Sequence, residues 1–300
     1  MSVTRRDITI KADDGYELAA TLHEPQSEPQ SGPQSGSQSG PAIAPITIVA
    51  SATGVPQSFY NRFAHFLAEH GRPTLTFDGR GIAKSAPPSL KGFPGRFRDW
   101  GILDFPGVID WAGTNYPGRQ LHWIGHSYGG FGLGLARNNA AVGKLLGVAT
   151  MSADVRLIDH KLAGAQIGLF LFGLGPLAAH VLGYAPGRLS GGTDLPKQVV
   201  LEWSKWCRTP GFLFGIHDLP QRRYFETLTA SVRLARMTDD SWVSQRGVEH
   251  LLGHFTLAKE RSIWTIDPAD AGGKPIGHLG LFRSEFRDTL WRDVLKWLER

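Results

Sequence analysis

The chain has 300 residues, 41% of them hydrophobic, and a net charge of +5. That is enough for a sizeable core, in one large domain or two small ones. The Lys and Arg are scattered with no run of five or six, which argues against a nucleic-acid partner, and the single cysteine, Cys207, excludes an intrachain disulfide.

The opening MSVTRRDITIK has no apolar h-region, so no signal peptide is expected. The most apolar stretch, 167–183, is broken by Pro176, His180 and several glycines and is short for a stable membrane span. A cytoplasmic protein is the expectation. Cys207, between Trp206 and Arg208 in a helical pattern, reads as a packing residue.

In chain order, alternating runs at 7–11 and 16–22 flank Asp13-Asp14-Gly15 and predict a β-hairpin. Residues 25–41 repeat PQSE, PQSG, PQSG, SQSG. A stretch of Pro, Gln, Ser and Gly buries no core, so a flexible loop is expected there. The apolar, β-branched run 46–50 predicts a strand covered on both faces. Small residues at 51–56 lead to a helix near 58–70, with Phe59, Phe63, Phe66 and Leu67 on one face and Gly71 as its stop. Residues 73–78 predict another strand, leaving through 79–85. Helical spacing at 98–115 is interrupted by Pro106.

The chain is organised around LHWIGHSYGGFGLGLARNN, residues 121–139. An apolar strand, 121–124, stops at Gly125-His126-Ser127-Tyr128-Gly129-Gly130, and a helix-compatible stretch follows from Phe131 to Ala136. Strand, sharp glycine-flanked turn and helix form the setting of a nucleophile elbow. Ser127 would sit at its tip in a strained conformation. The Tyr128 N–H would face an oxyanion formed beside it.

A buried strand at 145–151 follows. Strands and helices thus alternate, which predicts a mostly parallel α/β sheet. Ligands bind such sheets outside the carboxyl ends of the strands, where the loops 51–56, 78–85 and 125–130 can converge. Residues 155–228 break the alternation with apolar helix-like pieces at 162–174, 177–182 and 198–207, which reads as an inserted helical cap. The core is then 1–154 and 229–300. Strands at 232–237 and 261–266, a helical stretch at 248–253 and an amphipathic helix at 286–298 complete it.

A serine hydroxyl needs a base to take its proton, and the base needs an acid to orient it. In this kind of sheet the partners follow in the order serine, acid, histidine. Ser127, then Asp240 at a strand end, then His278 in a glycine-flanked loop satisfy that order. Of the 11 histidines, only His278 lies in a loop beyond the last strand; His126, beside Ser127, would point away from it. Asp239 and Asp154 remain alternative acids. There is no H-E-x-x-H, no thiolate cluster and no Walker loop. Gly79-x-Gly81 lacks the third glycine of a dinucleotide fingerprint, so neither metal nor cofactor is expected.

At this point the chain resembles the α/β-hydrolase superfamily. Within it, it is similar to bacterial predicted hydrolases related to the serine-aminopeptidase and monoacylglycerol-lipase-like branch. The resemblance rests on Ala52-Thr53-Gly54-Val55-Pro56-Gln57 with Phe59-Tyr60, on Asp78-Gly79-Arg80-Gly81-Ile82, on the elbow, on Asp239-Asp240, and on Ile276-Gly277-His278 with Phe282-Arg283. It implies Ser127 as nucleophile, Asp240 as acid and His278 as base. It also implies an oxyanion hole from the N–H groups of Tyr128 and of Thr53 or its neighbour. Ser51-Ala52 stands where many relatives carry His-Gly, and Ser241 replaces a frequent Pro. The expected activity is hydrolysis of a small-molecule carboxylic ester or thioester through an acyl-enzyme. Alternatives are an acyltransferase or peptidase using the same triad, or a ligand-binding protein that keeps the fold without turnover.

Overall fold

The computed structural model describes residues 2–26, 44–159, 165, 168–189 and 191–300. The repeat predicted as a loop lies, from residue 27 onward, outside them.

The hairpin forms as expected. Strand β1 (Val3–Lys11) pairs antiparallel with β2 (Glu17–Pro25) in an unbroken register from Val3 opposite Pro25 to Lys11 opposite Glu17. The next strands, β3 (Ile46–Ala50), β4 (Thr74–Phe77) and β5 (Leu121–His126), are buried at every position, and β6 (Val142–Val148) at most positions. Their continuous apolar character follows from being covered on both faces. Residues 155–228 contribute a two-stranded pair, β7 (Tyr184–Ala185) with β8 (Leu195–Pro196). The main sheet resumes with β9 (Ser231–Met237) and β10 (Glu260–Ile266). Its order is β1-β2-β4-β3-β5-β6-β9-β10. All neighbours from β4 to β10 are parallel; only the hairpin edge is antiparallel.

Helix α1 (Asn61–Glu69) begins after a 3₁₀ turn, Gln57–Tyr60, and buries Phe63, Phe66 and Leu67. Pro106 does not break its helix. It falls in the first turn of α2 (Phe105–Asn115), directly after a π-turn, Trp100–Asp104, whose wider i→i+5 bonding meets the helix there. The helix expected at 131–136 starts earlier, as α3 (Tyr128–Phe131), and tightens to 3₁₀ over Gly132–Leu135. Aromatic rings explain the glycines there. A Cβ on Gly132 would press on Tyr128 and Phe105, and one on Gly134 on Phe225.

Within 155–228, a π-turn (Phe170–Leu174) runs into α4 (Gly175–Leu182), and α5 (Lys197–Arg208) follows the β pair. The first part of the predicted 162–174 piece lies outside the described residues. Cys207 is buried on α5, and burial pushes its thiol up, as befits a packing residue. Six of the exposed large apolar side chains fall in this segment: Leu169, Leu174, Leu177, Val181, Leu182 and Leu189. Among the described residues no helix is long and apolar enough to cross a membrane.

Helix α6 (Gln245–Gly253) is capped by the Ser244 hydroxyl, which accepts the Gly247 N–H at 3.0 Å. Helix α7 (Leu290–Glu299) buries Leu290, Trp291, Val294, Leu295 and Leu298. Trp291 donates to the Leu281 carbonyl at 2.6 Å and packs edge-on against Phe63, which in turn meets Phe282. The last helix thereby fixes the loop that carries His278. Truncating so buried an aromatic costs about 3–5 kcal/mol. At the other side, Arg80 forks onto Asp14 (2.7 and 2.8 Å) and reaches the fully buried Asp104 (2.7 Å), pinning the loop after β4 to the hairpin turn and to the π-turn.

Of the three buried histidines on strands of the sheet, His23 and His122 lie away from the Ser127 turn. Burial pushes His23 down to about 4; burial and the adjacent Arg72 push His122 to about 3. The Arg72 guanidinium donates to His122 Nδ1 at 2.7 Å, which holds that ring neutral. Both rings are uncharged when folded but titrate near 6.5 when unfolded. Between about pH 6.5 and 4 the unfolded chain therefore binds more protons, and stability falls as pH falls through that window. Denaturant unfolding measured at several pH values should show this fall, and His122→Phe should flatten it.

Candidate active site

The site is built on the crossing of β5 and α3. Ser127 links them at φ 51°, ψ −111°, a conformation that costs a non-glycine residue of order 1–3 kcal/mol and persists only where its surroundings impose it. The Ser127 N–H donates to the Val148 carbonyl (2.8 Å). Its own carbonyl accepts the Thr150 hydroxyl (2.7 Å) and the Gly130 N–H (3.0 Å). Trp123 closes the turn by donating to the Gly129 carbonyl at 2.8 Å. A Cβ on Gly125 would collide with the Gly129 backbone, and one on Gly129 with the Ala50 carbonyl. Strand and helix cross too closely for any side chain at either place.

The loop between β10 and α7 carries His278. Its Nδ1–H donates to Asp240 Oδ2 at 2.8 Å, and the carboxylate is almost wholly buried. The other Asp240 oxygen accepts the Trp242 N–H at 2.9 Å. The two rival acids are engaged elsewhere. Asp239 accepts the backbone N–H groups of Ile276 (2.8 Å) and Gly277 (3.0 Å), so it braces the His278 loop without touching the ring. Asp154 accepts from Arg156 and from the Gly211 N–H.

After β3, the Ala52 N–H is occupied: it donates to the Tyr60 hydroxyl at 3.0 Å. The N–H groups of Thr53 and Tyr128 take part in no hydrogen bond among the described residues. Tyr60 also meets His126 Nδ1 at 2.8 Å, and His126 Nε2 meets the His278 carbonyl at 2.9 Å. His126 thus points away from the Ser127 side chain, as the sequence suggests, yet it touches the main chain of His278. Burial holds its ring well below the usual histidine range, so it is neutral. The sequence alone assigned no role to Tyr60, His126 or Thr150, although Phe59-Tyr60 belongs to the resemblance and His126 adjoins Ser127.

Ser127, His278 and Thr53 open into one cavity of about 450 Å³. Its walls are Phe97, Phe131, Met151, Phe170, Trp203 and Trp242, with other apolar side chains, and among the described residues no carboxylate, lysine or arginine lines it. Leu189 and Trp242, both exposed, stand at its edge. The 78–85 loop, expected to converge here, does not line the cavity. Its Asp78 instead accepts the N–H groups of Gln57 (2.7 Å) and Lys84 (3.2 Å), tying the loops after β3 and β4 together.

Comparison with known proteins agrees with this architecture. Residues 45–161 match the family model described as alpha/beta hydrolase fold. No curated protein matches the sequence. Solved structures similar over nearly the whole chain include a hypothetical protein from Pseudomonas aeruginosa, with 15% identity, TM-score 0.61, and coverage of 99% of this chain and 93% of that one. An esterase from Pyrococcus furiosus shows 17% identity and TM-score 0.61, covering 99% and 91%. Est1E from Butyrivibrio proteoclasticus, solved with ferulic acid bound, shows 15% identity and TM-score 0.58, covering 98% and 100%. Sheet order, strained serine turn and family match together make this chain a protein of the α/β-hydrolase fold.

Proposed function

We propose that the protein is a serine hydrolase of uncharged carboxylic esters or thioesters. The observation that carries this reading is the 2.8 Å bond between His278 and Asp240, in a loop that shares one apolar cavity with the strained Ser127 turn. With Nδ1 committed to Asp240, the lone pair of His278 Nε2 is left to act as base. Ser127 Oγ attacks the acyl carbonyl and its proton passes to Nε2. Asp240 stabilises the imidazolium that results. The N–H groups of Tyr128 and Thr53 receive the oxyanion, in an apolar setting where such bonds count for more than in water. Collapse breaks the bond to the alcohol or thiol, which leaves with the proton from His278. Water, deprotonated by the same Nε2, then attacks the acyl-enzyme and releases the acid and Ser127.

The cavity also bears on which member of the resembling branch this chain follows. An aminopeptidase must hold a protonated α-amine, and a buried cation without a counter-charge is costly. Among the described residues no carboxylate lines this cavity. Its aromatic and aliphatic walls favour an apolar acyl group, on the lipase-like side of the resemblance. Transfer to an acceptor other than water would use the same acyl-enzyme, and product analysis with competing alcohols separates the two.

A fluorophosphonate probe should label the wild type, and Ser127→Ala should abolish both labelling and hydrolysis of nitrophenyl esters; equal labelling of the variant would remove the assignment. Asp240→Asn should lower kcat about 10⁴-fold, the scale on which loss of the orienting acid acts in such triads. Asp239→Asn should leave far more activity. On a substrate panel, neutral apolar esters should exceed aminoacyl amides in kcat/KM.

A further inference from the structure

Three buried groups outside the three reacting residues form an unbroken polar chain across the back of the site. The Ala52 N–H donates to Tyr60 Oη (3.0 Å), Tyr60 Oη lies 2.8 Å from His126 Nδ1, and His126 Nε2 lies 2.9 Å from the His278 carbonyl. Tyr60 and His126 are both fully buried. Phe282 packs on both rings, at 4.8 Å from Tyr60 and 5.1 Å from His126, and closes the chain from the apolar side.

With the buried His126 ring neutral, the proton positions follow from donor and acceptor chemistry. A carbonyl only accepts, so His126 Nε2 must carry hydrogen. A neutral imidazole then presents a lone pair at Nδ1, so Tyr60 must donate to it. The Tyr60 oxygen is left to accept, and the Ala52 N–H donates the hydrogen bond it receives. Every bond in the chain has one sense. No member can reverse without leaving a buried polar group unpaired, which costs about 1–3 kcal/mol.

We infer that Tyr60 and His126 are positioning residues of the reaction proposed above, an inference that rests on that reading of the site. They act at two places at once. At one end they draw the Ala52 N–H away from the cavity, so the oxyanion is met by the N–H of Thr53, one residue on. At the other end they fix the main chain of His278, while Asp239 holds the two preceding residues and Asp240 holds the ring. The oxyanion loop after β3 and the base loop after β10 come from distant parts of the sequence. This chain is what couples them. Neither residue touches the reacting atoms.

Tyr60→Phe removes one oxygen and keeps the ring. It should lower kcat for a neutral nitrophenyl ester about 10- to 100-fold, the scale on which small misplacements of reacting groups act, with KM within about twofold. His126→Gln keeps an N–H donor near the His278 carbonyl and should retain more activity than His126→Leu. Tyr60→Phe combined with His126→Leu should be little worse than His126→Leu alone, since both break one chain. Thermal melts on the same samples correct for the folded fraction. If His126→Leu does not fold, the Tyr60→Phe and His126→Gln comparison carries the test unaided. Wild-type kcat in Tyr60→Phe, or equal loss in His126→Gln and His126→Leu, overturns the inference. Ser127→Ala is measured alongside. If it hydrolyses like wild type, the serine reading fails and this inference falls with it; if it is inactive while Tyr60→Phe turns over normally, only the positioning role fails.

Discussion

The structure depends on how closely β5 and α3 cross. The backbone at Ser127 is forced to φ 51° because strand and helix meet there with no side chain at Gly125 or Gly129 to hold them apart. Such a turn is unfavourable in isolation. It is held by the Val148 carbonyl, by Thr150 and by Trp123, all on or next to the central strands. The core therefore does two jobs through one set of contacts. It buries β5 and its neighbours on both faces, and it presents a hydroxyl at the carboxyl end of the sheet. Weakening the centre of the sheet would weaken the turn as well, which ties stability to the site more tightly here than at the hairpin edge.

Much of this was legible in the amino-acid sequence, for reasons that differ from element to element. The central strands were readable because parallel strands covered on both faces are apolar at every position, as in Ile46–Ala50. The turn at Ser127 was readable because its glycines are demanded by sterics at fixed offsets. Chain order and loop placement made Asp240 and His278 candidates, with Asp239 and Asp154 left open as alternative acids, and His278 lies 2.8 Å from Asp240. Helix boundaries were less legible. Residues 128–136 carry four glycines, and most of the contacts that make them necessary, to Ala50, Phe105, Thr150 and Phe225, come from elsewhere in the chain. The tolerance of Pro106 likewise hangs on a π-turn that spacing alone does not announce.

The loop at 78–85 shows a different kind of limit. Position at a strand's carboxyl end made it a candidate wall of the site, yet Asp78 and Arg80 turn it into a brace. Asp78 bonds the backbone of Gln57 and Lys84, and Arg80 bonds Asp14 and Asp104. These are long-range pairs between side chain and backbone, or between charges many residues apart. No local pattern encodes them. The same holds for Tyr60 and His126, whose partners lie 8, 66 and 152 residues away along the chain.

The walls of the cavity belong to the same packing that holds residues 155–228 on the core. Phe97 lines the cavity and stacks on Trp203 of α5 at 5.7 Å, while its other neighbours include Tyr128 of α3 at 4.6 Å and Trp206 at 5.1 Å. Phe131, also in the wall, meets Phe212 at 5.2 Å. Aromatic pairs of this kind contribute about 0.5–1.5 kcal/mol each beyond the area they bury. They carry no charge into the cavity. In the proposed reaction, an apolar wall of this kind leaves fewer waters to compete for an oxyanion at Ser127, which strengthens backbone N–H groups as donors. A polar residue placed at Phe97 would thus be felt three times: in the seating of α5, in the start of α3 and in the dielectric around the serine. The apolar character of this cavity is a condition of the proposed chemistry as much as a clue to its substrate.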